Sequence, residues 1–104
     1  MKRAYLASSS KGDRALLLKI ANELADNGYM VFSPCLGFVG KETPEIRPKI
    51  MEVCLVTVSN WAEVLFILDE GISSEGCEDE HKIAESNCIP IIRISSTSML
   101  PMAG

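Results

Sequence analysis

Histidine occurs once, at His81, and no two of the four cysteines (Cys35, Cys54, Cys77 and Cys88) stand at Cys-x-x-Cys spacing. A zinc knuckle and a redox dithiol are therefore not indicated, and no metal site is expected. Basic residues are few and scattered: 10 Lys and Arg against 14 Asp and Glu give a net charge of −4 and no basic stripe. That argues against a surface for duplex nucleic acid. It does not exclude a free nucleotide, because the amides at a helix N-terminus bind phosphate without a basic patch. No stretch approaches the roughly 18 apolar residues of a membrane span, and the apolar run in MKRAYLASSSKGD is too short for a signal peptide. The expectation is a cytoplasmic protein with no membrane partner. Neither a Walker pattern nor Gly-x-Gly-x-x-Gly is present, and no cofactor is implied.

Hydrophobic residues are 47% of the 104 and charged residues 23%, ordinary globular usage that predicts a packed core and one domain. The domain is expected over residues 1–94, with 95–104 as a frayed tail. The cysteines read as small buried apolar residues in a reducing compartment.

The run from Arg3 to Ala7 reads as a strand that stops at Ser8-Ser9-Ser10-Lys11-Gly12-Asp13, a cluster of turn formers. Leu16, Leu17, Ile20, Ala21, Leu24 and Ala25 then recur at three and four, a helical stripe that Asp13 can cap and Gly28 can end. Tyr29 to Phe32 predicts a second strand, stopped by Ser33-Pro34, and Cys35 to Pro44 reads as a loop. A helix holding Ile46, Ile50, Val53 and Cys54 is expected to run to about Val58, closed by Ser59-Asn60. Trp61 is expected to cover the edge of the core or a partner subunit. Ala62 to Leu68, ending in Asp69, is nearly continuous in apolar character, as a strand buried on both faces is. A helix from about Glu75 to Asn87 and a strand from Ile89 to Ile94, with Pro90 at its start, complete the pattern.

This βαβαβαβ order predicts a three-layer α/β/α fold of flavodoxin or Rossmann type, with a small parallel sheet of four or five strands. Ligands of such sheets bind beyond the carboxyl ends of the strands, which places Ser8 to Gly12, Ser33 to Gly40 and Asp69 to Gly76 on one rim.

One constellation on that rim carries chemistry. Ser74-Glu75-Gly76-Cys77 opens the last helix, where amides, the positive helix end and the Ser74 hydroxyl suit an anionic group, and Gly76 permits close approach. Glu80 lies one turn further in, and its side chain points back toward the same crevice. A carboxylate beside a sugar can serve as nucleophile or stabilise an oxocarbenium-like transition state. The alternative is that Glu75, Glu78, Asp79 and Glu80 form only a solvated acidic first turn. Asp69 either faces the ligand or makes an Asx turn. Lys11-Gly12-Asp13 reads as a turn with a helix cap, from which Lys11 can still reach a phosphate. His81 reads as a solvated helix residue, and Cys77, although at a helix N-terminus, as a buried one.

Tyr5-Leu6-Ala7-Ser8, the helix ending at Gly28 before Val31-Phe32-Ser33-Pro34, the strand to Asp69, Ser74-x-Gly76-x-x-x-Glu80-x-x-x-Ala84 and Ile89-Pro90-Ile91 together resemble the nucleoside 2-deoxyribosyltransferase superfamily, over residues 3 to 94. The likeness is to its short, phage-associated members. It implies that Glu80 is a nucleophile, that Ser74 and Gly76 hold a 5′-phosphate as in the nucleotide-hydrolysing branch, and that Tyr5 lies near the sugar. Transferases of the family carry Asp where this chain has Ser74, and a further acid in the preceding helix that is missing around Val53 to Val58. The expectation is an N-glycosidase or deoxyribosyltransferase acting on a nucleoside monophosphate or nucleoside, with Tyr5, Ser8, Ser9, Ser10, Lys11, Gly12, Ser74, Gly76 and Cys77 binding it and Glu80 and Asp69 catalytic. The alternative is a module that binds a nucleotide without cleaving it. Family members build their sites from two subunits, so a homodimer or larger assembly is expected.

Overall fold

Six residues, Lys2–Ala7, form β1, and the last four of them are wholly buried. The computed structural model describes residues 2–8, 13–37, 43–69 and 75–95. β1 pairs in parallel with β2 (Tyr29–Phe32) on one side and β3 (Val64–Asp69) on the other, and β3 pairs with β4 (Ile91–Ser95). The strand order β2-β1-β3-β4 puts the change of winding direction between β1 and β3. In parallel sheets that is where ligands enter.

Side-chain alternation along β1 divides the core in two. Ala4 and Leu6 face α1 (Arg14–Asp26), packing with Leu17, Ile20, Leu24, Tyr29 and Phe66. Tyr5 and Ala7 face the other way, onto α3 (Arg47–Asn60) and α4 (Glu75–Ser86), with Cys54, Val58, Leu65, Ile67 and Ala84. The sheet is thus covered on both faces, which explains why Val64 to Leu68 are all buried. On the α1 face the rings of Tyr29 and Phe66 meet edge-on with centroids 5.0 Å apart, an arrangement that adds about 1 kcal/mol to their burial.

Local signals fix the helix ends. The Asp13 carboxylate accepts from the amides of Ala15 and Leu16 at 2.9 and 3.2 Å, capping α1 as its sequence predicts. Gly28 (φ 93°) ends α1 in the left-handed region that glycine adopts without steric cost. At the end of α4 the same job falls to Cys88 (φ 57°): its amide donates to Glu85 O and that of Ile89 to Ala84 O, a Schellman closure.

Several expectations need correction. The segment after Ser33 is not loop from its start, because Pro34–Gly37 makes one helical turn, α2, with the Leu36 amide donating to Ser33 O and Cys35 and Leu36 packing on the α1-side core. α3 runs to Asn60 instead of Val58, and Trp61 caps it by donating its amide to Thr57 O. Val53 is not on its inner face but 61% exposed, since Ile50, Cys54 and Val58 take the line toward the sheet. Cys88 is exposed and Cys35 and Cys77 only half-buried, so only Cys54 fits the expectation of a fully buried thiol. Pro90 lies just before β4, where its carbonyl accepts from the Leu65 amide.

Candidate functional site

The acidic start of α4 divides sharply. Glu78 and Asp79 are exposed, whereas Glu80 is 5% exposed. Helical spacing explains the difference: Cys77, Glu80 and Ala84 fall three and four residues apart on the stripe that packs against β1 and β3. Glu80 is therefore not part of a solvated acidic turn.

Burial pushes the Glu80 carboxyl up to about 7 and the charge of Asp79 adds to this, while the hydroxyl of Tyr5 pulls it back. Tyr5 is driven well above the ordinary phenol range by its own burial and by the nearby Glu80 charge, and it also interacts with the Cys54 thiol. Burial raises the Cys54 thiol in turn. These three groups, from β1, α3 and α4, form one polar island in the apolar layer between sheet and helices. The island is not internally satisfied, because Tyr5 Oη and Glu80 Oε2 are buried without a hydrogen bond of good geometry. Proximity is enough to shift their titration but not to pair them. A buried oxygen left in this way costs about 1–3 kcal/mol, and it leaves a preformed acceptor or donor for a ligand.

Beside the island the Tyr5 ring tilts against Phe32 (centroids 5.7 Å), and Phe32 meets Trp61 edge-on at 6.2 Å. Trp61 is half-buried there against Phe32. His81 pairs through Nδ1 with Glu85 at 2.8 Å on the partly exposed side of α4.

Other residues expected at the site fall on the same rim. Ser8 directly follows β1; its carbonyl accepts from Cys35 Sγ at 3.8 Å, and its Oγ is buried without a partner. Gly76 lies in the first turn of α4, Cys77 packs at the border of the α4-side core, and Asp69 is the last residue of β3, in register with Ser95. Ser9, Ser10, Lys11, Gly12 and Ser74 lie outside the described residues. Sequence reasoning missed Cys54 as a neighbour of Tyr5, because i, i+4 spacing with Ile50 and Val58 marks only a core position. Among the described residues no group of three or more His, Cys, Asp or Glu could hold a metal, and no helix is long and apolar enough to cross a membrane.

A family model described as a domain of unknown function, DUF4406, matches residues 4–93. The chain belongs to the DUF4406 family. The matched region takes in Tyr5, Ser8, Cys54 and Glu80, so the whole polar island lies inside the DUF4406 domain. Among solved structures this DUF4406 domain is similar to that of a 2-deoxyribosyltransferase from the psychrotolerant bacterium Bacillus psychrosaccharolyticus, with a TM-score of 0.69 and 22% identity over 95% of this chain and 76% of the other. The likeness shows a shared fold, the one that the resemblance in sequence implied. No curated protein matches the chain by sequence.

Proposed function

We propose that this DUF4406 domain cleaves the N-glycosidic bond of a nucleoside monophosphate or nucleoside, with Glu80 as nucleophile. The observation that carries the reading is a buried carboxyl with an unpaired oxygen, close to a buried tyrosine hydroxyl and one turn inside a helix that starts at the ligand-binding rim of a parallel sheet. The ionised Glu80 attacks the anomeric carbon, the bond to the base nitrogen breaks, and the base leaves with the electron pair and takes up a proton. Water, or a second base, then attacks the same carbon and frees the carboxylate. With substrate bound, Tyr5 gives its single proton to Glu80 and accepts from a sugar hydroxyl, and Ser74, Gly76, Cys77 and the segment Ser8 to Gly12 hold the phosphate or sugar. We assign to Asp69, at the end of β3, the second carboxylate of the site.

The test is chromatography of free bases released from a panel of nucleoside monophosphates and deoxynucleosides by the wild type and Glu80→Gln. Base released by the wild type alone supports the reading. A second reading, a binding module, takes the same buried and unpaired Glu80 oxygen as the partner of a ribose hydroxyl. For that reading no base is released by either protein, and Glu80→Gln weakens nucleotide affinity.

Assembly into a homodimer is part of the proposal. Val53 and Val56 on the outer face of α3, with Met30 and Phe32 on edge strand β2, are exposed apolar side chains that a second copy can bury. A monomer in sedimentation at working concentration would remove this part.

A further inference from the structure

Ser33 stands between β2 and α2, where a serine ordinarily caps the helix through its hydroxyl. Here the backbone alone closes the turn, the Leu36 amide donating to Ser33 O at 3.1 Å, and the Ser33 hydroxyl has no partner. The residue is only 6% exposed. A second orphan follows the neighbouring strand, β1. The parallel register ends at Tyr5 with Phe32; continued by one residue it sets Ser33 level with Leu6, and Ser8 is the next residue after Leu6 on the same side of β1. Ser8 Oγ is also buried and unpaired, while Cys35, two residues after Ser33, ties α2 to the Ser8 carbonyl. Two hydroxyls on adjacent strand ends are thus desolvated together, on the α1 face of the sheet and across β1 from Glu80.

The nearest helix end argues about the ligand's charge. Asp13 occupies the start of α1 and takes the amides of Ala15 and Leu16, so that end offers a carboxylate where an anion would need donors. Hydroxyls both donate and accept, which suits a neutral polar group.

Resting on the nucleotide-site reading above, we infer that Ser33 and Ser8 form a hydroxyl pair that binds a neutral hydrogen-bonding group of the nucleoside portion of the ligand, making Ser33 a specificity residue. Removing an unpaired buried hydroxyl relieves the free protein of a desolvation cost, while the complex loses a hydrogen bond. Stability and binding are thereby separated, which a merely structural serine would not do.

The experiment is thermal unfolding and calorimetric binding of the wild type, Ser33→Ala and Ser8→Ala with a panel of nucleosides and their 5′-monophosphates. The expected result is an unfolding midpoint equal to or above that of the wild type, with affinity about tenfold weaker for a nucleoside and its monophosphate alike. Unchanged affinity in both variants would overturn the inference and leave the site reading standing. So would a lowered midpoint with unaltered affinity, and a loss confined to monophosphates would show a phosphate contact instead. If the wild type binds no member of the panel, the site reading itself fails and this inference with it.

Discussion

Glu80 makes stability and pH move in opposite directions, and the effect is large enough to measure. Its carboxyl titrates at about 7 in the folded chain against 4.5 for an ordinary glutamate, because burial penalises the charged form. The folded state therefore binds a proton that the unfolded state has already released between those two values. Linkage then makes stability fall as pH rises through that window. At about 1.36 kcal/mol per unit of pKa, complete ionisation costs the fold roughly 3 kcal/mol above pH 7. Glu80→Gln keeps the side-chain volume and removes the charge, so it should match the wild type at pH 4.5 and exceed it by roughly that amount at pH 8. In a domain of this size the difference corresponds to roughly 10 °C or more in the unfolding midpoint. Urea unfolding of both proteins at half-unit steps from pH 4.5 to 8 isolates the term, since every other titrating group is common to the two curves. Parallel curves would refute the reasoning, because they would mean that Glu80 is solvated when ionised. If the proposed chemistry holds, turnover rises over the same window in which the wild type loses stability, since the nucleophile must be charged.

Tyr5→Phe removes a hydroxyl that has no hydrogen bond of good geometry, so at pH 4.5, where Glu80 is protonated in the folded chain, the unfolding midpoint should hold or rise, while the pH midpoint of turnover or of nucleotide binding moves upward because the group that lowers Glu80 is gone. Asp13→Ala leaves the amides of Ala15 and Leu16 uncapped and should cost about 1 kcal/mol in urea unfolding at neutral pH. Cys88→Gly relaxes a left-handed residue at the Schellman closure of α4 and should stabilise by about 1 kcal/mol, read in the same assay; a neutral or destabilising result would mean that the Cys88 side chain makes compensating contacts.

Much of the fold was legible because periods and stop signals agreed. The stripe of α1, the Asp13 cap, Gly28 and the Tyr29–Phe32 strand fall where the residues put them. α2 was not legible, since one turn is too short to show a period and it closes through the Ser33 carbonyl, which every residue has. The facing of α3 was ambiguous for a different reason: Ile50, Met51, Val53, Cys54, Leu55, Val56 and Val58 are apolar nearly all round the helix, so the pattern cannot choose a buried side, and Val53 went outward. In α4 the charges alone made Glu80 one acid among four. What distinguishes it is its place in line with Cys77 and Ala84, a packing stripe that contains a carboxylate. The neighbours Tyr5 and Cys54 come from separate elements, and only the sheet pairing brings them to it.

The two ends of the sheet are built on opposite terms. At the amino end of β1 and β3 the polar groups close on one another: the Arg3 amide donates to Glu63 Oε1 at 3.0 Å, Arg3 Nε to Trp61 O at 2.6 Å, and the Glu63 amide to Arg3 O at 2.8 Å, with the Arg3 amide holding the Glu63 carboxyl below its usual range. Toward the carboxyl end, Ser8 and Ser33 keep buried hydroxyls unpaired, and on the other face of the sheet the Tyr5 hydroxyl and the Glu80 Oε2 are likewise buried and unpaired. Hydrogen bonds of the first kind hold the fold at that end. Orphans of the second kind each weaken the free protein, and a ligand that satisfies them recovers that loss on binding. Removing them singly should then make the domain more stable and a poorer binder, whereas loosening the Arg3–Glu63 contacts should weaken the fold and leave ligand affinity unchanged in whatever fraction remains folded. That opposition distinguishes a ligand site at the carboxyl end from ordinary imperfection of packing, because imperfect packing would give variants that are more stable and bind no differently.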